Sequence, residues 1–178
     1  MAIEKPNYRV VERVGGIELR DYDEYWIAEC RIDNEQDLRA ASNRAFGRLF
    51  NYISGDNDQR QKIAMTAPVQ QVADAGAWLV SFVVPRDVAL GEIPVPANGS
   101  ISLRKVPAGR FAVLRYRGVW NAQRFEQKSQ QLLAAVAALG LTADGAASGA
   151  VYNPPITPPP LRRNEVMVRV KPTSKKES

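Results

Sequence analysis

The stretch that decides the fold is DLRAASNRAFGRLFNYI, which runs from Asp37 to Ile53. Its apolar residues recur at spacings of three and four, the period of one buried stripe on an α-helix. Asn34 or Asp33 is a suitable N-terminal cap, and Gly55 follows the end of the stretch. The sequence therefore predicts one amphipathic helix here. Its expected buried stripe is Leu38, Ala41, Ala45, Leu49 and Ile53.

Segments with the composition and alternation of β-strands flank this helix on both sides. The first two are joined by Gly15-Gly16, a dipeptide suited to a tight hairpin turn. Alternation along the strands places Cys30 and Met65 in the core. The predicted strands are Tyr8 to Val14, Ile17 to Tyr22 and Trp26 to Ile32 before the helix, and Lys62 to Val72 and Trp78 to Val84 after it.

The same order of elements begins again after a loop rich in proline and glycine. A second helix, from a cap at Asn121 to Leu139, is expected to bury Phe125, Leu132, Val136 and Leu139. The strands around it are Ile101 to Val106, Arg110 to Tyr116, Ala150 to Asn153 and Glu165 to Val170.

We therefore predict an α+β fold made of two β-β-α-β-β units, about residues 8–86 and 100–170. The units are expected to form a strongly twisted, mostly antiparallel sheet or half-barrel flanked by two helices. Residues 1–172 are expected to be one domain, and 173–178 a disordered tail. Ligands favour the junction of such repeats, so a ligand-holding cleft is expected between the halves.

Composition limits the classes of function. The 178 residues, 45% of them hydrophobic, suffice for one domain with a full core. No apolar run is long enough for a membrane span, and the first residues lack an apolar signal core, so we expect a cytoplasmic protein. The net charge of +5 owes much to Lys171, Lys175 and Lys176 near the C-terminus, which disfavours nucleic acid as a partner.

The chain contains no histidine. This excludes serine-histidine and cysteine-histidine catalysis, and no cluster of carboxylates suggests a metal site. We therefore expect a protein that is not an enzyme and holds no structural metal. The enzymatic alternative would need Glu165 or Glu29 as an acid or base whose pKa is raised in a cleft, assisted by Tyr152.

The first helix has a second facet that the buried stripe does not explain. Arg39, Asn43, Phe46 and Phe50 fall within about 60° of one another at ~100° per residue. One interpretation is that the two phenylalanines widen the buried stripe. The other is a groove wall, in which the rings cover a flat apolar ligand and Arg39 or Asn43 meets its polar edge.

Four segments together resemble the SOUL haem-binding protein family. They are Glu18-Leu-Arg-Asp-Tyr22, Lys62-Ile-Ala-Met-Thr-Ala-Pro-Val69, Tyr152-Asn-Pro and Arg162-Arg-Asn-Glu-Val166, and the match extends in order from about Tyr8 to Val170. The resemblance implies a twisted sheet or half-barrel of two β-α-β repeats, and tetrapyrrole binding. It places Asn43, Phe46 and Phe50 at the wall of an apolar groove along the first helix.

The chain departs from the histidine-bearing members of that family, in which the histidine stands at the position of Asp21. The remaining donor types include Met65 and the phenols of Tyr22 and Tyr152. Arg39, Arg162 or Arg163 would meet the propionates, the last two held by the proline-rich segment before them.

We therefore predict a non-catalytic binder of haem or another porphyrin, a hydrophobic planar small molecule, that acts as carrier, buffer or sensor without histidine ligation. The alternative is a general effector-binding domain that resembles the gyrase inhibitor-like multidrug-binding domains, which would favour cationic aromatic compounds.

Overall fold

The structure of the protein is a computed structural model that describes residues 3–173. The expected disordered tail therefore lies, apart from Thr173, outside the described residues. The strands in this range are β1 (Tyr8–Val14), β2 (Ile17–Tyr22), β3 (Tyr25–Asp33), β4 (Val69–Asp74), β5 (Ala77–Val83), β6 (Ile101–Val106), β7 (Gly109–Tyr116), β8 (Ser148–Val151) and β9 (Asn164–Arg169). The helices are α1 (Leu38–Ile53), α2 (Arg86–Leu90) and α3 (Ala122–Ala138), with a 3₁₀ turn at Pro159–Leu161.

The strands form one antiparallel sheet, curled as a half-barrel, in the order β1-β2-β7-β9-β8-β4-β5-β3-β6. The order is symmetric about the seam between β8 and β4: β9, β7 and β2 follow on one side, and β5, β3 and β6 on the other. We call these two sides of the seam the halves of the sheet. Along the chain, each unit has the order β-β-α-β-β, with β1 as an extra edge strand. The predicted α+β fold is confirmed, and the first strand of each unit, β2 or β6, lies in the half that contains the remaining strands of the other unit, because β2 pairs with β7 and β6 with β3.

Both long helices pack on the same face of the sheet. Apart from Leu38, which joins the cluster beneath α3, the predicted stripe of α1 lies over Ala28, Cys30 and Ile32 of β3. Cys30 is buried as expected. The stripe of α3 lies over β2, β7 and β9. The opposite side, here called the helix-free face, has its own apolar cluster made of residues from both halves. These are Tyr22, Ile27, Val83, Val106, Phe111, Val113, Ala150 and Met167.

Four details of the sequence prediction are wrong. The cap of α1 is Asp37, whose side chain accepts a hydrogen bond from the Arg39 amide. Leu139 follows the end of α3 and is exposed rather than buried. The short helix α2 lies in the stretch predicted as a loop between the two units. The fourth error concerns the segment before β4.

The predicted strand from Lys62 to Val72 begins only at Val69. Pro68 has no N–H to donate to a neighbouring strand, and the residues before it join the molecule by other contacts. The Thr66 hydroxyl donates to the Val83 carbonyl at 2.6 Å, and the Ile63 amide donates to the Ile53 carbonyl at the end of α1 at 2.7 Å. Because the segment is not a regular strand, Met65 is 44% exposed instead of lying in the core.

Candidate functional site

The outer facet of α1 exposes two aromatic side chains. Phe46 and Phe50 are 39% and 48% exposed, and their rings are stacked with centroids 6.1 Å apart and planes within 15°. Phe46 also meets Phe82 of β5 edge to face at 5.5 Å, which anchors the pair to the sheet. The phenylalanines therefore do not simply widen the buried stripe, because the stripe of α1 is already covered by the sheet.

Polar groups share the facet of this aromatic pair, and an exposed methionine lies in the segment that follows the helix. Arg39 and Asn43 are exposed and lie seven and three residues before Phe46, so helical geometry places them on the same facet. Met65 is also exposed, and the bond from the neighbouring Ile63 to α1 brings its segment beside the C-terminal end of the helix. We call Arg39, Asn43, Phe46, Phe50 and Met65 the α1 facet.

The chain offers few side chains that could hold the iron of a haem near the α1 facet. Iron is usually held by imidazole, thiolate, thioether or phenolate, and the chain has no imidazole. Cys30 is fully buried, and the Tyr52 hydroxyl at the base of α1 donates to the Pro94 carbonyl at 2.7 Å. Within residues 3–173, Met65 carries the one exposed soft donor.

Three of the other site residues expected from the sequence lie on the helix-free face around a buried ion pair, namely Tyr22, Tyr152 and Arg163. Glu165 of β9 has no exposed surface, and its two carboxylate oxygens accept hydrogen bonds of 2.8 and 2.9 Å from Arg20 of β2. Arg20 also donates to the Tyr22 hydroxyl at 3.0 Å and to Glu18 at 2.8 Å. Sequence reasoning missed Arg20, because no local pattern links residues that are 145 positions apart.

Arg163 and Tyr152 complete this cluster. The Arg163 guanidinium donates to Glu165 at 2.8 Å and to the Tyr8 hydroxyl at 3.1 Å, and lies 4.0 Å from the centroid of the Tyr152 ring. Burial alone would raise the pKa of Glu165, but the hydrogen bonds and charges of Arg20 and Arg163 hold it below its ordinary value. Glu165 therefore lacks the raised pKa that the enzymatic alternative requires of its acid or base.

The tyrosines of the cluster are held in their neutral form. Burial raises the pKa of Tyr22 to about 12, against the opposing charge of Arg20. Burial also raises the pKa of Tyr152, and the negative charge of Glu165 raises it further. Neither phenol is therefore ready to become the phenolate that iron would need.

Two remaining expected residues have partners elsewhere. Asp21 lies on the opposite side of β2 from Tyr22, where it accepts hydrogen bonds of 2.7 and 3.0 Å from Arg110. Arg162 donates to the carbonyls of Thr157 and Pro155 and so closes the proline-rich loop onto itself. The structure thus brings Tyr22, Tyr152 and Arg163 together, and separates them from the α1 facet by the thickness of the sheet.

The helix-free face also carries two cavities. One, of about 340 Å³, is open and lies beside the β1–β2 turn, with Arg13, Arg20 and Arg115 in its wall. The other, of about 250 Å³, lies across the two halves and is here called the groove. Its lining includes Tyr25, Ile27, Glu29, Gln70, Arg104, Val106, Phe111, Asp144, Met167 and Arg169.

Comparison with known proteins identifies the family. The model of the SOUL heme-binding protein family matches residues 3–169, which is nearly the whole chain. The chain belongs to the SOUL heme-binding protein family. The resemblance noted in the sequence is thereby confirmed. Heme-binding protein 2 of Mus musculus is 31% identical over 81 residues, a region that covers 43% of this chain and 38% of the mouse protein.

Solved structures similar to this SOUL domain share its fold at low identity. The C-terminal domain of EcmrR superposes with a TM-score of 0.66 at 12% identity, covering 93% of this chain and 99% of that one. A structure of SAV2435 bound to tetraphenylphosphonium gives 0.51 at 8% identity, covering 93% and 94%. A hydrolase from Listeria innocua gives 0.53 at 9% identity, covering 96% and 94%. Identities this low establish the common fold alone.

Two further findings concern this SOUL chain between residues 3 and 173. No group of three or more cysteine, aspartate or glutamate side chains is placed to hold a metal ion there. The same part of the chain has no helix with the length and apolar character needed to cross a membrane.

Proposed function

We propose that this protein binds haem or another tetrapyrrole on the α1 facet, without catalysing a reaction and without a histidine ligand. The observation that carries the proposal is the exposed, stacked pair of Phe46 and Phe50 in a member of a heme-binding family. A soluble domain gains nothing in stability from leaving two large aromatic rings in water, so such a pair is expected to cover a ligand.

Apolar contact suffices for useful affinity. Burying roughly 500 Å² of combined apolar surface at ~25 cal/mol per Å² supplies about 12 kcal/mol, and association costs at least about 4 kcal/mol of this. The remainder, about 8 kcal/mol, corresponds to a dissociation constant near 1 μM. Arg39 and Asn43 are exposed at the N-terminal end of the facet and would meet the propionates.

Iron contributes little to this binding. Met65 supplies the thioether beside the facet, and Asp21, Tyr22, Tyr152, Arg162 and Arg163 are engaged elsewhere in the structure, as described above. Iron-free porphyrin is therefore expected to bind about as tightly as hemin. The protein would then serve as a carrier, buffer or sensor of tetrapyrroles rather than as a site of iron chemistry.

The test is a titration of the purified protein with hemin and with protoporphyrin IX, followed by the Soret band and by quenching of tryptophan fluorescence. Both ligands are expected to bind with micromolar dissociation constants that differ by less than about fivefold. In the double variant Phe46→Ser/Phe50→Ser, both constants are expected to rise at least about tenfold, because the apolar surface against the ring is lost.

A matched control is Leu133→Ser, which removes an apolar side chain from α3 that is as exposed as Phe46. This variant should bind both porphyrins within twofold of the unchanged protein. The proposal fails if neither porphyrin binds at 50 μM protein, or if the double variant binds as tightly as the control.

A further inference from the structure

The groove on the helix-free face is a second place where a ligand fits, independent of the α1 facet. Its floor is apolar and combines Ile27 and Val106 from one half with Phe111 and Met167 from the other. Because the two sites lie on opposite faces of the sheet, they cannot share one ligand. The cavity of about 250 Å³ is also smaller than the ~300–1,000 Å³ typical of sites for drug-sized ligands, so it suits a compact molecule.

Several hydrogen-bond donors converge at one end of the groove. The Tyr25 hydroxyl accepts a hydrogen bond of 3.0 Å from the Gln70 amide, which leaves its own proton free for another acceptor. Burial raises the pKa of Tyr25, and the positive charges of Arg169 and Arg104 oppose that rise. Tyr25, Arg104 and Arg169 all line the groove, and Tyr25 lies opposite Val106 while Arg169 donates to the carbonyl of the next residue, Pro107, so Tyr25 and Arg169 lie at the same end of the groove.

Arg169 is held in place but keeps unused donors. Its guanidinium lies 4.5 Å from the centroid of the Phe111 ring, and donates to the carbonyls of Pro107 at 2.6 Å and Ala108 at 3.3 Å. These bonds use two of its five N–H donors. No carboxylate within residues 3–173 forms an ion pair with Arg169.

The carboxylates nearby are already neutralised or solvated. Glu29 accepts a hydrogen bond of 2.9 Å from Arg104, and Glu165 is held by Arg20 and Arg163. Asp144 lines the groove but is exposed, so water and salt screen its charge. A cationic ligand would find no free buried carboxylate on this floor, whereas an anionic ligand would meet Arg169 and the Tyr25 hydroxyl.

We propose that the groove binds a small aromatic carboxylate, with its ring on Phe111 and Met167 and its carboxylate on Arg169 and the Tyr25 hydroxyl. A planar carboxylate matches the free edge of a guanidinium, and charge-assisted hydrogen bonds of this kind are about twice as strong as neutral ones. This site is separate from the proposed porphyrin site, because it lies on the opposite face of the sheet and binds its ligand through Arg169 and Tyr25.

The test compares three probes that share one ring system: 1-naphthoate, 1-naphthamide and 1-naphthylmethylammonium. Their binding to the whole protein is measured by calorimetry, with chemical-shift changes to locate them. The carboxylate is expected to bind at least about tenfold more tightly than the amide, and the ammonium more weakly than either. Equal affinities, tighter binding of the ammonium, or no binding of the carboxylate at 5 mM would overturn the proposal.

Variants of Arg169 and Tyr25 test whether these two residues bind the carboxylate of the ligand. Arg169→Gln is expected to weaken the binding of 1-naphthoate at least about tenfold and to leave the affinity for 1-naphthamide within twofold of that of the unchanged protein. The matched control is Arg110→Gln, which removes the same charge from the opposite side of β7, where Arg110 pairs with Asp21. If Arg169→Gln lowers the melting temperature too far for titration, Tyr25→Phe provides the second variant, with an expected loss of about fivefold for 1-naphthoate alone. An unchanged naphthoate affinity in the folded variant would contradict the assignment.

The two proposals can fail separately. Phe46→Ser/Phe50→Ser should not change naphthoate binding, and Arg169→Gln should not change porphyrin binding. Hemin at saturation should leave the affinity for 1-naphthoate unchanged. Displacement of naphthoate by hemin would overturn the independence of the groove without affecting the evidence for porphyrin binding.

Discussion

Glu165 combines two properties that rarely occur together, a charged side chain and no contact with solvent. It stays ionised because Arg20 and Arg163 supply hydrogen bonds and positive charge that outweigh the cost of burial. Such a pair adds little net stability compared with an apolar core, but removal of one partner leaves the other charge buried and uncompensated. Its value lies in fixing the position of β2 against β9.

Glu165→Gln is therefore expected to lower the free energy of unfolding at pH 7 by roughly 3 kcal/mol, because Arg20 would keep only the partly exposed carboxylate of Glu18 and lose its buried counter-charge. The folded-state pKa of Glu165 lies below its ordinary value of 4.5, so the stabilisation is complete above that pH and lost as the pH falls through the folded-state pKa. Stability in the variant should depend less on pH in this acid range. Urea unfolding at several pH values measures both effects.

The control for this variant is Glu18→Gln. Glu18 bonds the same Arg20 but is partly exposed, so its loss should cost less than about 1 kcal/mol. Equal losses in the two variants would show that burial does not decide the strength of these ion pairs.

At the scale of single residues, the sequence predicted the face of a helix or strand on which a residue lies better than it predicted which residues that side chain contacts. Helical spacing placed Phe46 and Phe50 on one facet, but their exposure depends on what the rest of the chain covers. Met65 was expected in the core because alternation is the same for a strand and for an extended segment. The bond between Arg20 and Glu165 leaves no periodic signal at all.

Among the elements, α1 carries both the core and the proposed porphyrin site. Its buried stripe faces β3 and β5, and its outer facet carries Phe46 and Phe50. Gly47 occupies an exposed position within this helix, where an added Cβ would meet no atom within 4 Å. Glycine within a helix costs stability because the unfolded chain has more freedom to lose.

Gly47→Ala is accordingly expected to raise the free energy of unfolding by about 0.5–1 kcal/mol. Gly149→Ala is the opposite case, because its Cβ would overlap the Trp120 ring where β8 passes beneath it. That change should destabilise the protein. Chemical unfolding of both variants checks the signs, and a destabilising Gly47→Ala would show that the outer facet of α1 packs against more than solvent.

The elements themselves followed from the sequence with small errors at their ends, since periodicity and turn residues are local signals. The cap of α1 was placed too early, because Asp33, Asn34 and Asp37 are all suitable capping residues. The strand before Val69 was placed wrongly, because a strand requires a partner and the sequence does not show which segment lies beside it.

Considering the molecule as a whole, the two halves meet along a short seam. Only three residue pairs join β4 to β8, between Val69 and Gln71 on one side and Gly149 and Val151 on the other. By comparison, seven residue pairs join β3 to β5. Trp120 reinforces the seam, donating a hydrogen bond of 2.7 Å to Gln71.

Hydrogen exchange should detect this difference. The amides of β8 that face β4 are expected to exchange faster than those of β3 that face β5, because local opening of a short ladder costs less free energy. The measurement is native-state exchange followed by mass spectrometry or NMR. Equal protection of the two ladders would mean that the halves open only together.

The duplication was predictable from the order of elements, but the arrangement of the whole sheet was not. Order along the chain indicates two similar units, and their likeness favours one sheet. The order along the chain contains no information on whether the first strand of a unit pairs with the other strands of that unit. Pairings such as that of Glu18 with Val113 are set by contacts between distant segments.

Because β2 pairs with β7 and β3 with β6, the first unit of the chain cannot complete its strand pairing by itself during synthesis. A ribosome that has released residues as far as β5 has supplied β2 without its inner neighbour, and β3 without the strand that covers its outer edge. Open strand edges of this kind pair readily with other chains. The nascent first unit is thus exposed to aggregation until β6 and β7 have emerged, and a premature stop after β5 would make that exposure permanent.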